Sequence, residues 1–233
     1  MNEILIRETP ILDFNHPSLK ALIDRCGWKA LSERDRILAI YNFVRDEIQF
    51  GYNVSDDIPA SAVLADGYGQ CNTKGNLFMA LLRAVGIPCR FHGFTINKEL
   101  QKGAITGIWY RLAPQEIVHS WVEILFEGKW RNIEGFILDK QYLTALQVRN
   151  PEVRGYFCGY GVATDNFANP QVDWNGGDTY IQKEGIKQDF GIFDSPDDFY
   201  RGHRQKLNWL KRLIFRWLTR HSMNRNVSRI RRN

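Results

Sequence analysis

The sequence has few cysteines and no long run of apolar residues. Its four cysteines are scattered over 233 residues at positions 26, 71, 89 and 158. Disulfide-stabilised proteins carry denser, regularly spaced cysteines, so the sequence excludes such a scaffold and predicts free thiols. No segment approaches the ~20 apolar residues of a membrane-spanning helix. The first ten residues, MNEILIRETP, place charges where a secretion signal needs an apolar run, so we expect a cytoplasmic protein.

Acidic residues are absent from the end of the chain. From Tyr200 onward there are eleven lysines and arginines and no aspartate or glutamate. The first 199 residues hold the other 20 basic residues and all 26 acidic ones, a net charge of −6, although the whole chain carries +5. We therefore predict a single domain over residues 1–194, with its core at about 33–140, followed by a basic amphipathic helix and tail over 195–233.

The start of this C-terminal segment has the residues of a helix N-terminus. Ser195 is a capping residue, Pro196 occupies the first helical position and Asp198 the third. Apolar residues then fall on one face of a helix predicted over 196–221, and basic residues fall on the other; the apolar ones are Leu207, Leu210, Leu213, Ile214, Trp217 and Leu218. After Ser222 we expect a frayed basic end.

Three kinds of partner fit this helix. Its apolar face suits the body of the protein or a second protein chain, and a basic amphipathic helix with tryptophans also suits an anionic membrane surface. Nucleic acid is the least favoured partner because no recognised nucleic-acid-binding module accompanies the arginines. The oligomeric state is left open by the sequence.

Apolar periodicity in the first half predicts an α+β fold. Ser32 caps a helix from Glu33 to about Ile48, and a short helix is expected near residues 18–25. A central helix after Cys71 ends at Gly86. Strands are predicted at 89–94, 119–126 and 129–134, with Glu127-Gly128 as the turn of a hairpin. Residues 51–69, which include an apolar stretch at 60–64, and residues 97–115 are expected to be loops. Residues 150–194 are expected to be irregular, with two short strands at most.

Cys71 lies at the entrance of the central helix, in the stretch GYGQCNTK. A helix N-terminus has unpaired N–H groups and the positive end of the helix dipole, and both favour a thiolate over a thiol. The same N–H groups can stabilise the oxyanion that forms when a thiolate attacks a carbonyl. The glycines at 67 and 69 allow the backbone to approach a substrate closely. We therefore interpret Cys71 as a nucleophile.

A nucleophilic cysteine needs a base, and strand geometry selects His119 and Glu134. If Glu127-Gly128 forms a two-residue turn, His119 and Glu134 lie on one face as diagonal neighbours about 7–8 Å apart at the backbone. A glutamate spans that gap and can orient the imidazole. Asp139 has the opposite parity and follows the expected strand end, and Asn132 lies one pair further away. We assign Glu134 as the orienting residue.

These motifs together resemble the transglutaminase-like family, a branch of the papain-like cysteine enzymes. The matching pieces are GYGQC at 67–71, LLRAVGIPCR at 81–90, HSWVEI at 119–124 and GKWRNIE at 128–134. Cys71, His119 and Glu134 fall on the three catalytic positions of that family. The sequence departs from it at the third position, where Glu-Gly-Phe replaces the usual Asp-Pro-Thr.

The resemblance implies a papain-like core with the nucleophile on a central helix against an antiparallel sheet. It further implies acyl transfer from an amide of a peptide or protein through a thioester, by a peptidase or amidase. Crosslinking or deamidation by a transglutaminase, and a catalytically idle binding module, stay open as alternatives. We expect no cofactor and no metal: the Cys89-x-x-His92 spacing lacks a second pair, and strand alternation sends its two side chains to opposite faces.

Overall fold

Two of the helices begin at the capping serines that the sequence contains. The structure, a computed structural model, describes residues 3–205 and 214–232. Ser32 accepts a hydrogen bond from the Asp35 amide at 3.2 Å and Ser195 accepts one from the Asp198 amide at 3.2 Å, as predicted. Within the described ranges the α-helices are α1 (Pro17–Cys26), α2 (Glu33–Asn42), α3 (Ala60–Asp66), α4 (Cys71–Ala84), α5 (Gly107–Leu112), α6 (Lys140–Arg149), α7 (Pro196–Gly202) and α8 (Arg220–Arg232).

Four antiparallel strands form the main sheet, in the order β5-β4-β3-β8. The strands of the described residues are β1 (Gln49–Phe50), β2 (Tyr68–Gly69), β3 (Cys89–Asn97), β4 (Glu116–Phe126), β5 (Lys129–Ile133), β6 (Phe157–Gly159), β7 (Val162–Thr164) and β8 (Ile186–Phe193). The predicted hairpin register is confirmed, since Phe126 faces Lys129 across a turn in which Glu127 and Gly128 have φ values of 50° and 72°. Pairing ends at Val122–Ile133, so β5 stops one residue before Glu134.

Helix α4 lies at the centre of the fold, between the sheet and helices α2 and α3. Every residue from Cys71 to Arg83 is buried. Gly75 lies on the side of the helix that faces the sheet, and a Cβ atom added there would make an ordinary van der Waals contact with Val122 at 3.7 Å. The helix ends before Gly86, whose φ of 81° lies in the left-handed region that glycine adopts freely. The predicted central helix and its stop signal are confirmed.

Several segments expected to be loops contain regular structure. Residues 60–64, expected as an apolar stretch within a loop, belong to α3. The segment 97–115 contains a 3-10 turn (Lys98–Gln101) and α5. The segment 150–194, expected to hold two short strands at most, holds β6 and β7 and also the eight-residue edge strand β8. Strand β8 carries two register shifts against β3, which obscure the period-2 pattern by which strands are predicted.

The end of the chain is an ordered helix and not a frayed tail. Helix α8 buries Met223, Val227 and Ile230 against the body, at the spacing of one helical face. Helix α7 is shorter than the helix predicted over 196–221, because it ends at Gly202. Of the apolar residues predicted to share one face, Leu207, Leu210 and Leu213 lie outside the described residues, and Trp217 and Leu218 are 64% and 58% exposed.

None of the helices in the described ranges combines the length and the apolar character that crossing a bilayer requires.

Candidate active site

Cys71 is the first residue of α4, and its surroundings fix the approach of the chain to the helix. Gln70 holds the preceding loop: its side chain accepts a hydrogen bond from the Asn53 amide at 3.0 Å and donates one to Asp56 at 3.0 Å. Gly69 is required at its position, since an added Cβ would lie 2.7 Å from the Thr73 hydroxyl oxygen. The backbone therefore enters the helix through a tightly packed turn, and the Cys71 side chain is 7% exposed.

The residue after the cysteine ties α4 to the strand that carries the histidine. The Asn72 side-chain amide donates to the Val118 carbonyl at 3.1 Å, and its oxygen accepts from the Ser120 hydroxyl at 2.8 Å. Val118 and Ser120 flank His119 in β4. These two buried hydrogen bonds therefore set the position of Cys71 relative to His119. The sequence motifs GYGQCNTK and HSWVEI contain Asn72 and Ser120, but they give neither residue a role.

His119 and Glu134 are in direct contact. The His119 Nε2 atom lies 2.8 Å from the Glu134 Oε1 atom, and both side chains are fully buried. The second carboxylate oxygen, Oε2, accepts hydrogen bonds from the backbone amides of Ile181 and Gln182 at 2.8 and 2.9 Å. The Glu134 amide itself donates to the Thr179 carbonyl at 3.0 Å. The carboxylate is thus immobilised at both oxygens, with one of them turned to the imidazole.

Cys71 raises the pKa of the same imidazole ring. Burial opposes a charge on His119, but the negative charge and the hydrogen-bonding contact of Cys71, together with Glu134, raise the pKa of His119 from 6.5 to about 10. Because Glu134 occupies Nε2, the other ring nitrogen is left for the thiol. That atom, Nδ1, is buried and makes no hydrogen bond of conventional geometry to the described residues. The structure therefore brings the three predicted side chains together; their catalytic roles stay predictions.

The two residues ranked behind Glu134 are engaged elsewhere. Asp139 caps α6 by accepting from the Tyr142 amide at 2.8 Å, and it pairs with Arg231 at 2.7 Å. The Asn132 side chain donates to the Tyr180 hydroxyl at 2.9 Å. The loop amides that hold Glu134 come from residues about 47 positions later in the chain. Since a backbone amide is present at every non-proline residue, no signal in the sequence identifies these two.

A cavity of about 580 Å³ adjoins Cys71. Its walls are largely apolar and include Ile105, Trp109 and Val118 from the body. The C-terminal segment supplies another wall through Phe215 and Met223. Polar groups on the cavity wall include Tyr52, Asp56 and Asp57 from the chain before α3, and Tyr200 from α7. Cys71 therefore borders a space large enough for a small organic group.

The Cys89-x-x-His92 spacing does not form a metal site. The Cys89 thiol contacts the Met79 carbonyl oxygen at 3.7 Å, whereas the His92 ring nitrogens lie 2.7 Å from Glu123 and 2.9 Å from Asp189. Within residues 3–205 and 214–232, no group of three or more histidine, cysteine, aspartate or glutamate side chains is placed to hold a metal ion.

Two solved structures are similar to this chain over part of their length. The structure has a TM-score of 0.47 and 13% identity to a proposed cysteine protease from Cytophaga hutchinsonii, over 84% of this chain and 48% of that one. It has a TM-score of 0.36 and 15% identity to a proposed protease from Parabacteroides distasonis, over 56% of this chain and 24% of that one. The chain thus spans half or less of the length of these proteins. Among curated proteins there is no match.

The family model of the transglutaminase-like superfamily matches residues 20–135. This range contains α4, the hairpin of β4 and β5, and all three of Cys71, His119 and Glu134. It begins in α1 and ends one residue after Glu134. Residues 20–135 therefore constitute a domain of the transglutaminase-like superfamily.

Proposed function

We propose that the protein is a cysteine-dependent hydrolase that cleaves an amide of a peptide or protein through a thioester intermediate. Cys71 is the nucleophile, His119 is the base that takes the thiol proton and then the acid that protonates the leaving nitrogen, and Glu134 orients the imidazole. The observation that carries the proposal is the buried His119 ring, which contacts Glu134 through one nitrogen and whose pKa is raised by Cys71. Cys71 in turn borders an open cavity.

The groups perform the reaction in two steps. The Cys71 sulfur attacks the amide carbonyl carbon, and the C–N bond breaks as the protonated His119 transfers its proton to the leaving nitrogen. Neutral His119 then takes a proton from water, the resulting hydroxide attacks the thioester carbon, and the C–S bond breaks to release a carboxylate product. Glu134 keeps its negative charge throughout and stabilises the imidazolium that is present before the first step.

Replacement of the family's Asp-Pro-Thr by Glu-Gly-Phe is compatible with this role. The longer glutamate side chain reaches Nε2 at 2.8 Å, a normal charge-assisted distance. Gly135 is needed there, because a Cβ atom added to it would lie 2.9 Å from the Val172 backbone. The exchange of residues therefore leaves the carboxylate–imidazole contact intact, which favours an active enzyme over an idle binding module.

Selective alkylation tests the nucleophile. With iodoacetamide limiting and each thiol followed by mass spectrometry, Cys71 should react faster than Cys26. Accessibility alone gives the opposite order, since Cys26 is exposed and Cys71 is buried. In a His119→Gln variant the advantage of Cys71 should disappear. Equal or slower reaction of Cys71 in the unmodified protein would contradict the proposal and favour the idle module.

The acyl acceptor is a separate question with its own measurement. A library of acylated peptides is incubated with the protein, with the Cys71→Ala variant as control, in the presence of a labelled primary amine. Release of free acid without incorporation of label supports hydrolysis. Incorporation of the label into the acyl product would instead assign a crosslinking transglutaminase activity to the same three residues.

A further inference from the structure

Attack by Cys71 on a carbonyl generates a negative oxygen that needs hydrogen-bond donors. The backbone amide of the first turn of α4 supplies one donor, and oxyanion sites commonly use a second. Two tyrosines, Tyr52 and Tyr200, line the same cavity as Cys71. The Tyr52 hydroxyl already donates to the Gln101 side-chain oxygen. Its proton is therefore engaged, and Tyr200 is the remaining phenol.

The Tyr200 hydroxyl is buried and has no hydrogen-bond partner among the described residues. The whole residue is 2% exposed. Folded proteins pair nearly all buried polar groups, so an orphaned hydroxyl at a cavity wall calls for a functional reason. Hydrogen bonding to a substrate in the cavity would provide such a reason.

The fold holds the Tyr200 ring firmly in place. Tyr200 lies in α7, and its ring packs against Phe91 of β3 at 5.9 Å and against Phe199 at 5.1 Å between ring centroids. Phe199 sits directly over Gly93, where an added Cβ atom would lie 2.2 Å from the phenylalanine ring. The glycine therefore allows α7 to seat on the sheet, and this seating carries Tyr200 to the cavity wall.

We propose that the Tyr200 hydroxyl is the second oxyanion donor, and that it hydrogen-bonds the carbonyl oxygen of the substrate as Cys71 adds to the carbon. The phenol donates a hydrogen bond and keeps its proton, so no bond to hydrogen breaks. This assignment rests on the proposed function of Cys71 and adds a residue outside the range that the family model matches.

The electrostatic surroundings keep the phenol in its donor form. Burial, the carboxylate of Asp56 and the charge of Cys71 all raise the pKa of Tyr200 well above its ordinary value of 10. The hydroxyl therefore carries its proton at every pH at which a cysteine enzyme works.

A pair of reagents separates this role from a structural one. Iodoacetamide alkylates a thiolate by displacement at a saturated carbon and forms no oxyanion, whereas p-nitrophenyl acetate acylates it through one. In Tyr200→Phe, we expect acylation of Cys71 to slow by about 10²-fold and alkylation to stay within about twofold. Thermal unfolding should occur at the same or a higher temperature, because the variant removes an unpaired buried hydroxyl.

Tyr41→Phe is the matched control. The Tyr41 hydroxyl is also buried, but it donates to the Val172 carbonyl at 2.7 Å and lies away from the cavity. This variant should unfold at a lower temperature and leave both reactions unchanged. Unchanged acylation in Tyr200→Phe would overturn the assignment, as would a loss confined to Tyr52→Phe. If neither reagent prefers Cys71 in the unmodified protein, the proposed function itself fails.

Discussion

The buried pair formed by Arg231 and Asp139 predicts a large stability effect near the end of the chain. The Arg231 Nε and Nη2 atoms lie 3.0 and 2.7 Å from the two Asp139 carboxylate oxygens, and Nη2 also donates to the Phe50 carbonyl at 2.9 Å. Both side chains are almost fully buried. Removing one partner of such a pair leaves a buried charge and costs about 3–5 kcal/mol.

Replacing Arg231 and replacing Asp139 should lower the free energy of unfolding by different amounts. After Arg231→Met, Asp139 still accepts from the amides of Phe50 and Tyr142, both at 2.8 Å. We therefore expect Arg231→Met to lower the free energy of unfolding by about 3 kcal/mol. We expect Asp139→Ala to lower it by about 5 kcal/mol, because this change also leaves two backbone amides and a guanidinium buried without a partner. Chemical denaturation at pH 7 measures the free energy of unfolding of each variant and of the double variant.

The pH dependence has a definite sign. Burial opposes ionisation of Asp139, but Arg231 and the Phe50 amide outweigh it, so the pKa of Asp139 lies below its ordinary value of 3.8. The ionised Asp139 carboxylate contributes to the free energy of unfolding above pH 3.8, and this contribution is lost as the pH falls through the pKa of Asp139 in the folded state. The difference between the unmodified protein and Arg231→Met should therefore shrink at pH 3 relative to pH 7.

An exposed pair in the same protein provides the control. Arg201 and Asp198 lie 2.9 Å apart in α7, but both are open to solvent. Arg201→Met should change the free energy of unfolding by less than about 0.5 kcal/mol. If Arg231→Met costs no more than Arg201→Met, the docking of α8 through a buried charge pair is refuted.

Three further predictions concern α4 and its contacts. Glu134→Gln should slow acylation of Cys71 by about 10²–10⁴-fold while leaving the fold intact, because the amide no longer stabilises a protonated His119; the assay is p-nitrophenyl acetate turnover with circular dichroism. Asn72→Ala should cost about 2–3 kcal/mol in denaturation and reduce the alkylation rate of Cys71, whereas a purely structural role predicts only the first effect. Burial lowers the pKa of Lys74 from 10.5 to about 7, so the folded state binds this proton more weakly than the unfolded chain. Stability should therefore rise between pH 7 and 10.5 by an increment on the order of 3–5 kcal/mol, and this increment should be missing in Lys74→Met.

Local signals in the sequence were sufficient for the elements that build the site. The capping serines, the stop at Gly86 and the Glu127-Gly128 turn act over a few residues, so their consequences follow from sequence alone. The hairpin register then follows from the turn, and the register puts Glu134 within reach of His119. The observed contact at 2.8 Å agrees with that reasoning, although the pairing stops one residue earlier than expected.

Features that depend on distant parts of the chain could not be predicted. Arg231 belongs to a basic run that indicates a solvated tail. Its guanidinium is nevertheless buried, because it pairs with Asp139, which lies 92 positions earlier in the chain. The amides that hold Glu134 and the ring packing that aims Tyr200 likewise depend on tertiary contacts. Strand β8 was missed because its register shifts break the alternation on which strand prediction relies.

The central claim is that His119 is held protonated between Cys71 and Glu134. Titration of the histidine rings by NMR, with His119→Gln to assign the signal, tests it most directly. We expect His119 to keep its proton to about pH 10, and we expect Cys71→Ala to lower this pKa by removing the negative neighbour. A His119 pKa near the ordinary 6.5, or one that Cys71→Ala leaves unchanged, would show that His119 is not held protonated by Cys71 and Glu134.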